Sequence, residues 1–193
     1  MRMARSWSPS EQMTNRRTLL KAGGGALAGL FFPALRPCWA VETIEIRMRS
    51  RDNGGYVTFD PIGVLVRPGA TIRWVVEADV HTTTAYHPSN DLHALRIPTT
   101  AQPWASDYLV NPGDSFEVTL TDEGVYDYYC TPHEMAGMVG RVIVGQPGGP
   151  GALPFDYFAG DVTKTSWKEV PMAARDRFPR IERIMALGIV RAE

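Results

Sequence analysis

Apolar and polar residues alternate in several short segments between residues 43 and 144. A period of two places successive side chains on opposite faces of a strand, so each segment predicts a half-buried β-strand. Turn-forming residues such as Pro68 and Gly69 separate the segments. The predicted strands lie in residues 43–48, in two apolar runs of residues 57–76, and in residues 116–120, 125–130 and 139–144. Short strands separated by turns predict an all-β sandwich or barrel.

Two stretches of the chain have the composition of loops. Residues 88–113 are rich in Pro, Ser, Asn and Thr and are too long for a tight hairpin, so we expect an excursion over the surface. Residues 145–154, GQPGGPGALP, have the Gly and Pro content of a linker. The sequence therefore predicts a β domain over residues 41–147, followed by a linker and C-terminal extension over residues 148–193.

The C-terminal extension contains a short segment with helical periodicity. Pro179 suits the first turn of a helix, and Ile181, Ile184 and Met185 recur at helical spacing before Gly188. An apolar stripe of this kind usually packs on the core of its own domain, and we expect the same here. A helix that docks a partner protein is the alternative.

Residues 1–40 have the features of a targeting segment and are excluded from the fold prediction. Arg16 and Arg17 are followed by Thr, two leucines and a lysine, and a weakly apolar run then covers residues 22–35. That run is shorter than the roughly 20 residues of a membrane-spanning helix. The segment Cys38-Trp39-Ala40 is an acceptable cleavage site. The pattern resembles a twin-arginine export signal, so we expect a periplasmic or otherwise extracytoplasmic protein with no stable membrane span after cleavage.

Removal of residues 1–40 changes the charge and the cysteine count. Fourteen Lys and Arg and twenty Asp and Glu remain, a formal charge of −6. An acidic protein of this kind is unsuited to nucleic-acid backbones, which require basic patches, and its field favours a positively charged partner. Cys130 becomes the only cysteine, which excludes a structural disulfide within one molecule.

The segment CTPHEMAGM, residues 130–138, concentrates potential metal ligands. Cys130 ends a predicted strand, His133 follows in the loop, and the chain returns to Met138 at the start of the next strand. A thiolate, imidazoles and a weak axial thioether form the set that binds copper in electron-transfer sites, whereas structural zinc sites usually contain several cysteines. Met135 lies in the same loop, and core packing can explain either methionine.

Such a site needs a second histidine, and His81, His87 and His93 are the candidates. His81 follows the apolar strand that contains Trp74 after a short acidic turn. The other two lie at the start of the long excursion and inside it. A ligand at a strand end is held more rigidly than one in a loop, so we predict His81 as the ligand.

The segments YDYYCTPHEMAGMVG and VRPGATIRWVVEADVHTTTAYHP resemble the copper-binding segments of the cupredoxin family, to which plastocyanin and pseudoazurin belong. The resemblance covers residues 41–145 and leaves the C-terminal extension unexplained. It implies a Greek-key β-sandwich with one type 1 copper ion, and it selects Met138 over Met135 as the axial ligand. The implied metal ligands are His81, Cys130, His133 and Met138.

The resemblance also implies a function. In the cupredoxin family this fold carries one electron between redox protein partners, so we expect a monomeric electron-transfer protein without enzymatic activity. A copper carrier or storage protein without redox duty is the alternative. The resemblance further implies that Tyr129, beside the cysteine, is an exposed aromatic residue near a second partner surface, although sheet packing is the simpler expectation for this tyrosine.

Overall fold

The structure, a computed structural model, describes residues 42–192. The proposed export signal therefore lies outside the described residues. Within residues 42–192, no helix has both the length and the apolarity needed to cross a lipid bilayer.

The described chain forms two mixed β-sheets and two short helices. One sheet has the strand order β2-β1-β4-β6 and the other has the order β5-β7-β8-β3-β9. The pairs β1–β4 and β3–β8 are parallel, and the remaining pairs are antiparallel. The strands are β1 (Thr43–Arg51), β2 (Tyr56–Asp60), β3 (Gly63–Val66), β4 (Ala70–Val76), β5 (Thr84–Ala85), β6 (Ser115–Leu120), β7 (Gly124–Tyr129), β8 (Val139–Val144) and β9 (Ile189–Val190), and the helices are α1 (Met172–Arg177) and α2 (Ile181–Leu187). The predicted β-sandwich with a partly helical extension is confirmed.

The main core contains inward-facing side chains from both sheets. In β4, Ile72, Trp74 and Val76 are buried and alternate with half-buried residues, as the sequence pattern predicts. Trp74 contacts the ring of Tyr128 from β7 edge-on, with the ring centroids 5.2 Å apart. Every residue of β7 and β8 is buried, because the sheet that contains them is covered on its outer face as well.

The C-terminal extension supplies that outer cover. Strand β9 pairs with β3, and Ile184 of α2 is fully buried on the outer face of the sheet. A Cβ atom at Gly63 would lie 2.7 Å from Ile184 Cδ1, so the helix requires glycine there for its close approach. Ile181 and Met185 are partly buried in the same apolar cluster. The predicted stripe therefore packs on its own domain.

A buried ionic cluster also joins the extension to the β-sandwich. The fully buried carboxylate of Asp127 accepts hydrogen bonds from Arg96 Nε and Arg141 Nε, each at 2.7 Å. The two guanidinium groups then donate to backbone carbonyls of the extension: Arg96 to Gly151 at 2.7 Å and Arg141 to Pro179 at 2.9 Å. The segment predicted as a linker thus contacts the domain directly.

Residues 88–113 form the predicted excursion, whereas the first predicted apolar run contains two strands instead of one. Residues 88–113 contain isolated bridges but no regular strand, as expected for the excursion. The first apolar run of residues 57–76 divides into β2 and β3, which belong to different sheets. Pro61 and Ile62 separate these strands, and period-two alternation alone does not reveal that division.

Candidate metal centre

Three side chains with metal-binding atoms meet at one end of the sandwich. His81 follows β4 and is fixed by a two-hydrogen-bond bridge between its backbone and that of Leu109. Cys130 comes directly after β7, and His133 lies in a 3-10 turn, Thr131–Ala136. The two ring nitrogens and the sulfur all lie within 4.8 Å of one another. The structure therefore brings together three of the four predicted ligands through atoms that can bind a metal.

Both imidazole rings present the same nitrogen to the sulfur. The distance from Cys130 Sγ is 3.6 Å to His81 Nδ1 and 3.4 Å to His133 Nδ1. The two rings are arranged edge to face, with centroids 5.1 Å apart. Because two imidazoles and one thiol converge from separate segments, this donor set fits copper by the chemistry of its ligands.

Two further residues, which sequence reasoning missed, orient these donors. Ser50 Oγ of β1 lies 3.1 Å from His81 Nε2, the ring nitrogen that points away from the sulfur. The backbone N–H of Thr82 donates to Cys130 Sγ at 3.3 Å. Outer partners of this kind fix ring orientation and sulfur position around a metal. Neither contact has a signature in the local sequence.

Burial determines the charge state of the donor groups. It lowers the pKa of His81 to about 4, with the nearby His133 as a smaller cause, and burial also lowers the pKa of His133. Both rings are therefore neutral at pH 7 and have a lone pair for a metal. Burial raises the pKa of the Cys130 thiol to about 11. Metal binding must therefore displace the thiol proton.

The two methionines of the loop have opposite environments. Met138 is fully buried in the main core, and its backbone N–H donates to the His133 carbonyl at 3.1 Å. Its own carbonyl accepts from the Cys130 N–H at 3.0 Å. Met135 is 75% exposed. Of the two, only Met138 is buried.

The other histidines lie outside the group of three donors. His87 Nδ1 is 2.8 Å from Ser89 Oγ. His93 is buried between the Asn90 carbonyl and the carboxylate of Glu134, at 2.7 and 3.1 Å. Within residues 42–192, the group of potential metal-binding residues contains neither of them. The choice of His81 as the candidate ligand agrees with this geometry.

We therefore predict that His81→Ala lowers copper affinity by at least about 100-fold, because even the loss of an outer-sphere partner costs 10- to 100-fold. His87→Ala is the matched control and should bind copper as the unaltered protein does, since its ring bonds to Ser89 and lies outside the group of three donors. Titration with Cu(II) against a competing chelator measures both. The reverse order of affinities would assign the ligand to His87.

The loop that contains His133 is anchored by its neighbour Glu134. The Glu134 carboxylate accepts a 2.7 Å hydrogen bond from Tyr86 OH in addition to its contact with His93. Tyr129 packs on the same rings, with its centroid 4.6 Å from that of Tyr86 and 4.5 Å from that of His93. These contacts connect the metal-binding loop to the long excursion.

Tyr129 is not the exposed aromatic residue that the family resemblance implies. It is 3% exposed, because Val170 and Phe178 of the extension belong to the same buried cluster. Tyr126 and Tyr128 lie with Cys130 in the main core, and Tyr129 points to the opposite face, as strand alternation predicts. The alternation predicted which face of the sheet the Tyr129 side chain occupies. The residues that bury it, Val170 and Phe178, are more than 40 positions away in the sequence.

Comparison with known proteins identifies the family. The family described as "Copper binding proteins, plastocyanin/azurin family" matches residues 45–145. A chloroplastic plastocyanin of Hordeum vulgare is 36% identical over 137 residues, which cover 71% of this chain and 85% of the relative. A pseudoazurin of Methylorubrum extorquens is 30% identical over 107 residues, which cover 55% and 64% of the two chains.

A solved structure extends the comparison to the fold. The pseudoazurin of Sinorhizobium meliltoi has 22% sequence identity and a TM-score of 0.50, and the match covers 77% of this chain and 99% of that one. The fold, the converging thiol and imidazoles, and the sequence relatives all agree. The chain belongs to the plastocyanin/azurin family of copper-binding proteins, whose members are electron carriers rather than enzymes.

Proposed function

We propose that this protein holds one type 1 copper ion through His81, Cys130, His133 and Met138 and transfers single electrons between redox proteins. The observation that carries the proposal is the convergence of the Cys130 sulfur and the two imidazole nitrogens within 4.8 Å. Copper bound there supplies one-electron chemistry between its Cu(I) and Cu(II) states. The protein supplies the geometry in which that change needs little rearrangement.

Backbone contacts around the site support this rigidity. The Cys130 carbonyl accepts from the His133 N–H at 3.0 Å, and Met138 bonds to the backbone of both residues. His81 is held by its bridge to Leu109 and by Ser50. Since contacts of this kind hold the backbone of each proposed ligand, metal binding should require little rearrangement of the chain.

His133 is the proposed exit point for electrons. His81 and Cys130 are fully buried, whereas His133 is partly exposed and lies between the exposed residues Pro132 and Met135. Of the three converging side chains, His133 therefore connects the buried sulfur to the surface. Burial of Tyr129 beneath the extension leaves this partly exposed ring as the proposed contact with redox partners.

A copper carrier remains the alternative function, and voltammetry separates the two. A carrier has to release its ion, and two of the three converging side chains are fully buried. We expect a reversible one-electron wave from the copper-loaded protein. A protein that holds only Cu(I) and gives no reversible wave would support the carrier function instead.

The proposed location is extracytoplasmic, with residues 1–40 as a twin-arginine export signal, residues 41–147 as the copper domain and residues 148–193 as its extension. The Arg16-Arg17 pair and the apolar run after it support this proposal. Cell fractionation tests it: the protein should be exported, and a variant with Arg16→Lys and Arg17→Lys should remain inside the cell. Unchanged export of that variant would exclude the twin-arginine route.

A prediction about the axial position distinguishes Met138 from Met135. Met138→Leu removes a donor sulfur and leaves an apolar side chain, which disfavours the more highly charged Cu(II), so the reduction potential should rise while copper stays bound. Met138→Gln offers a harder oxygen donor and should lower the potential. Met135→Leu is the control and should shift it little, because Met135 is exposed. If the reduction potential shifted in the Met135→Leu variant and not in the Met138 variants, the axial ligand would be Met135.

A further inference from the structure

A pocket of about 320 Å³ lies between the two helices of the extension, strand β9 and the segment before β3. Its floor is apolar and includes the buried residues Ile62, Phe178 and Val190. Four exposed arginines surround that floor: Arg177, Arg180, Arg183 and Arg191. We call this feature the arginine pocket. An apolar floor inside a ring of guanidinium groups suits an anionic surface that also presents an apolar side chain.

The arginine pocket contrasts in charge with the rest of the molecule. Residues 41–147 carry seven Lys and Arg and fourteen Asp and Glu, a formal charge of −7. Residues 148–193 carry seven and six, a formal charge of +1, and four of those seven basic residues line the pocket. Asp176 is the one carboxylate among its lining residues. The net charge of −6 therefore conceals a local positive surface.

The contacts of two of these arginines, Arg177 and Arg191, compensate their charge only in part. Arg177 donates to Tyr56 OH at 3.0 Å, and its guanidinium lies 5.2 Å from the centre of the Tyr56 ring, so its partner is a neutral group. Arg191 Nη1 is 3.6 Å from the Asp60 carboxylate, but its side chain is 69% exposed. The Asp60 carboxylate is buried and also pairs with Arg49, so it offsets only part of the charge of Arg191. The lining of the pocket thus combines four arginines with one carboxylate, Asp176.

The pocket adjoins the metal-binding loop. Gly137 ends the turn that contains His133, in the left-handed conformation with φ of 80°. A Cβ atom at Gly137 would lie 2.7 Å from Arg177 Cγ and 2.9 Å from the Ala173 carbonyl oxygen. Helix α1 therefore lies directly against the loop. A protein bound in the arginine pocket would be beside the proposed exit point for electrons.

We propose that the arginine pocket docks a carboxylate-rich surface of the electron-transfer partner. This rests on the proposed electron-transfer function. Arginine suits the role because its planar guanidinium group binds a carboxylate through two parallel hydrogen bonds. Complementary charge of this kind raises the rate of association and orients the partner. The expectation from net charge alone, a positively charged partner, is replaced by an acidic one that approaches through the extension.

Electrodes with defined surface charge test the proposal on the full copper-loaded protein. Gold is coated with monolayers that end in carboxylate, hydroxyl or ammonium groups, and electron exchange is measured by voltammetry. Despite its net negative charge, the unaltered protein should exchange electrons faster at carboxylate than at ammonium surfaces. In a variant with Arg180→Ala and Arg183→Ala, the ratio of the carboxylate to the hydroxyl rate should fall by about tenfold, as expected for the loss of electrostatic steering.

A matched control distinguishes the effect of charge in the pocket from the effect of net charge on the rate of electron exchange. A variant with Arg47→Ala and Arg67→Ala loses the same charge from β1 and from the turn after β3, outside the pocket, and should keep the ratio of the unaltered protein. Equal losses in both variants, or faster exchange of the unaltered protein at ammonium surfaces, would overturn the docking proposal. Absence of a reversible wave at the neutral hydroxyl surface would overturn the electron-transfer function itself and the docking proposal with it.

Discussion

Cys130→Ser should abolish the intense visible absorption that we expect of the Cu(II)-loaded protein. That band requires charge transfer from a thiolate to Cu(II), and Cys130 is the only cysteine among residues 42–192. Serine has nearly the same shape but offers a hard, protonated oxygen, so Cu(II) bound by the two histidines should be almost colourless. Absorption spectroscopy of both proteins with one equivalent of Cu(II) measures the change.

We expect the Cys130→Ser variant to remain folded. The sulfur accepts a weak hydrogen bond from the Thr82 N–H, and the backbone N–H of Cys130 bonds to the Met138 carbonyl, a contact that the substitution leaves in place. Far-ultraviolet circular dichroism should therefore match that of the unaltered protein. A folded variant that kept the full visible band would remove Cys130 from the site.

Asp127→Ala should cause the largest loss of stability, about 3–5 kcal/mol, the usual cost of removing one partner from a buried ion pair. Asp127 is fully buried and accepts three hydrogen bonds of 2.7 to 3.0 Å from Arg96 and Arg141. Alanine leaves two buried guanidinium groups without a counter-charge, and both of them hold the extension through its carbonyls. Urea unfolding at pH 7 gives the change in free energy.

The exposed pair Arg73–Glu117 provides the control for that measurement. Its atoms are 3.4 Å apart, and both side chains are about half exposed, at 44% and 52%. Glu117→Ala should therefore cost less than about 1 kcal/mol. If Asp127→Ala were no more destabilising than Glu117→Ala, the ionic cluster would not contribute to the packing of the extension on the sheet.

Local sequence patterns were sufficient to predict the strands and to select most of the candidate ligands. Alternation in residues 72–76 predicted the inward face of β4 because a strand has a fixed period of two. Cys130, His133 and Met138 were proposed together because they lie in one short loop that joins two adjacent strands. His81 required the further argument that strand ends are rigid, and the structure places its ring beside the Cys130 sulfur.

Contacts between distant segments could not be predicted in the same way. Asp127, Arg96 and Arg141 lie in three different segments, and each alone looks like an ordinary surface residue of a strand or loop. Their burial depends on the extension, which also covers Tyr129 and changes the expected exposure of that residue. The arginine pocket likewise forms only when β9 pairs with β3 and the two helices close over the sheet.

Titration of the purified full chain with Cu(II), followed by absorption and electron paramagnetic resonance spectroscopy, tests the central claim most directly. The thiol and the two imidazoles around one point predict an intense blue or green band that saturates at one equivalent. They also predict that binding releases the thiol proton. A colourless Cu(II) complex, or saturation without the charge-transfer band, would contradict a type 1 copper site at Cys130.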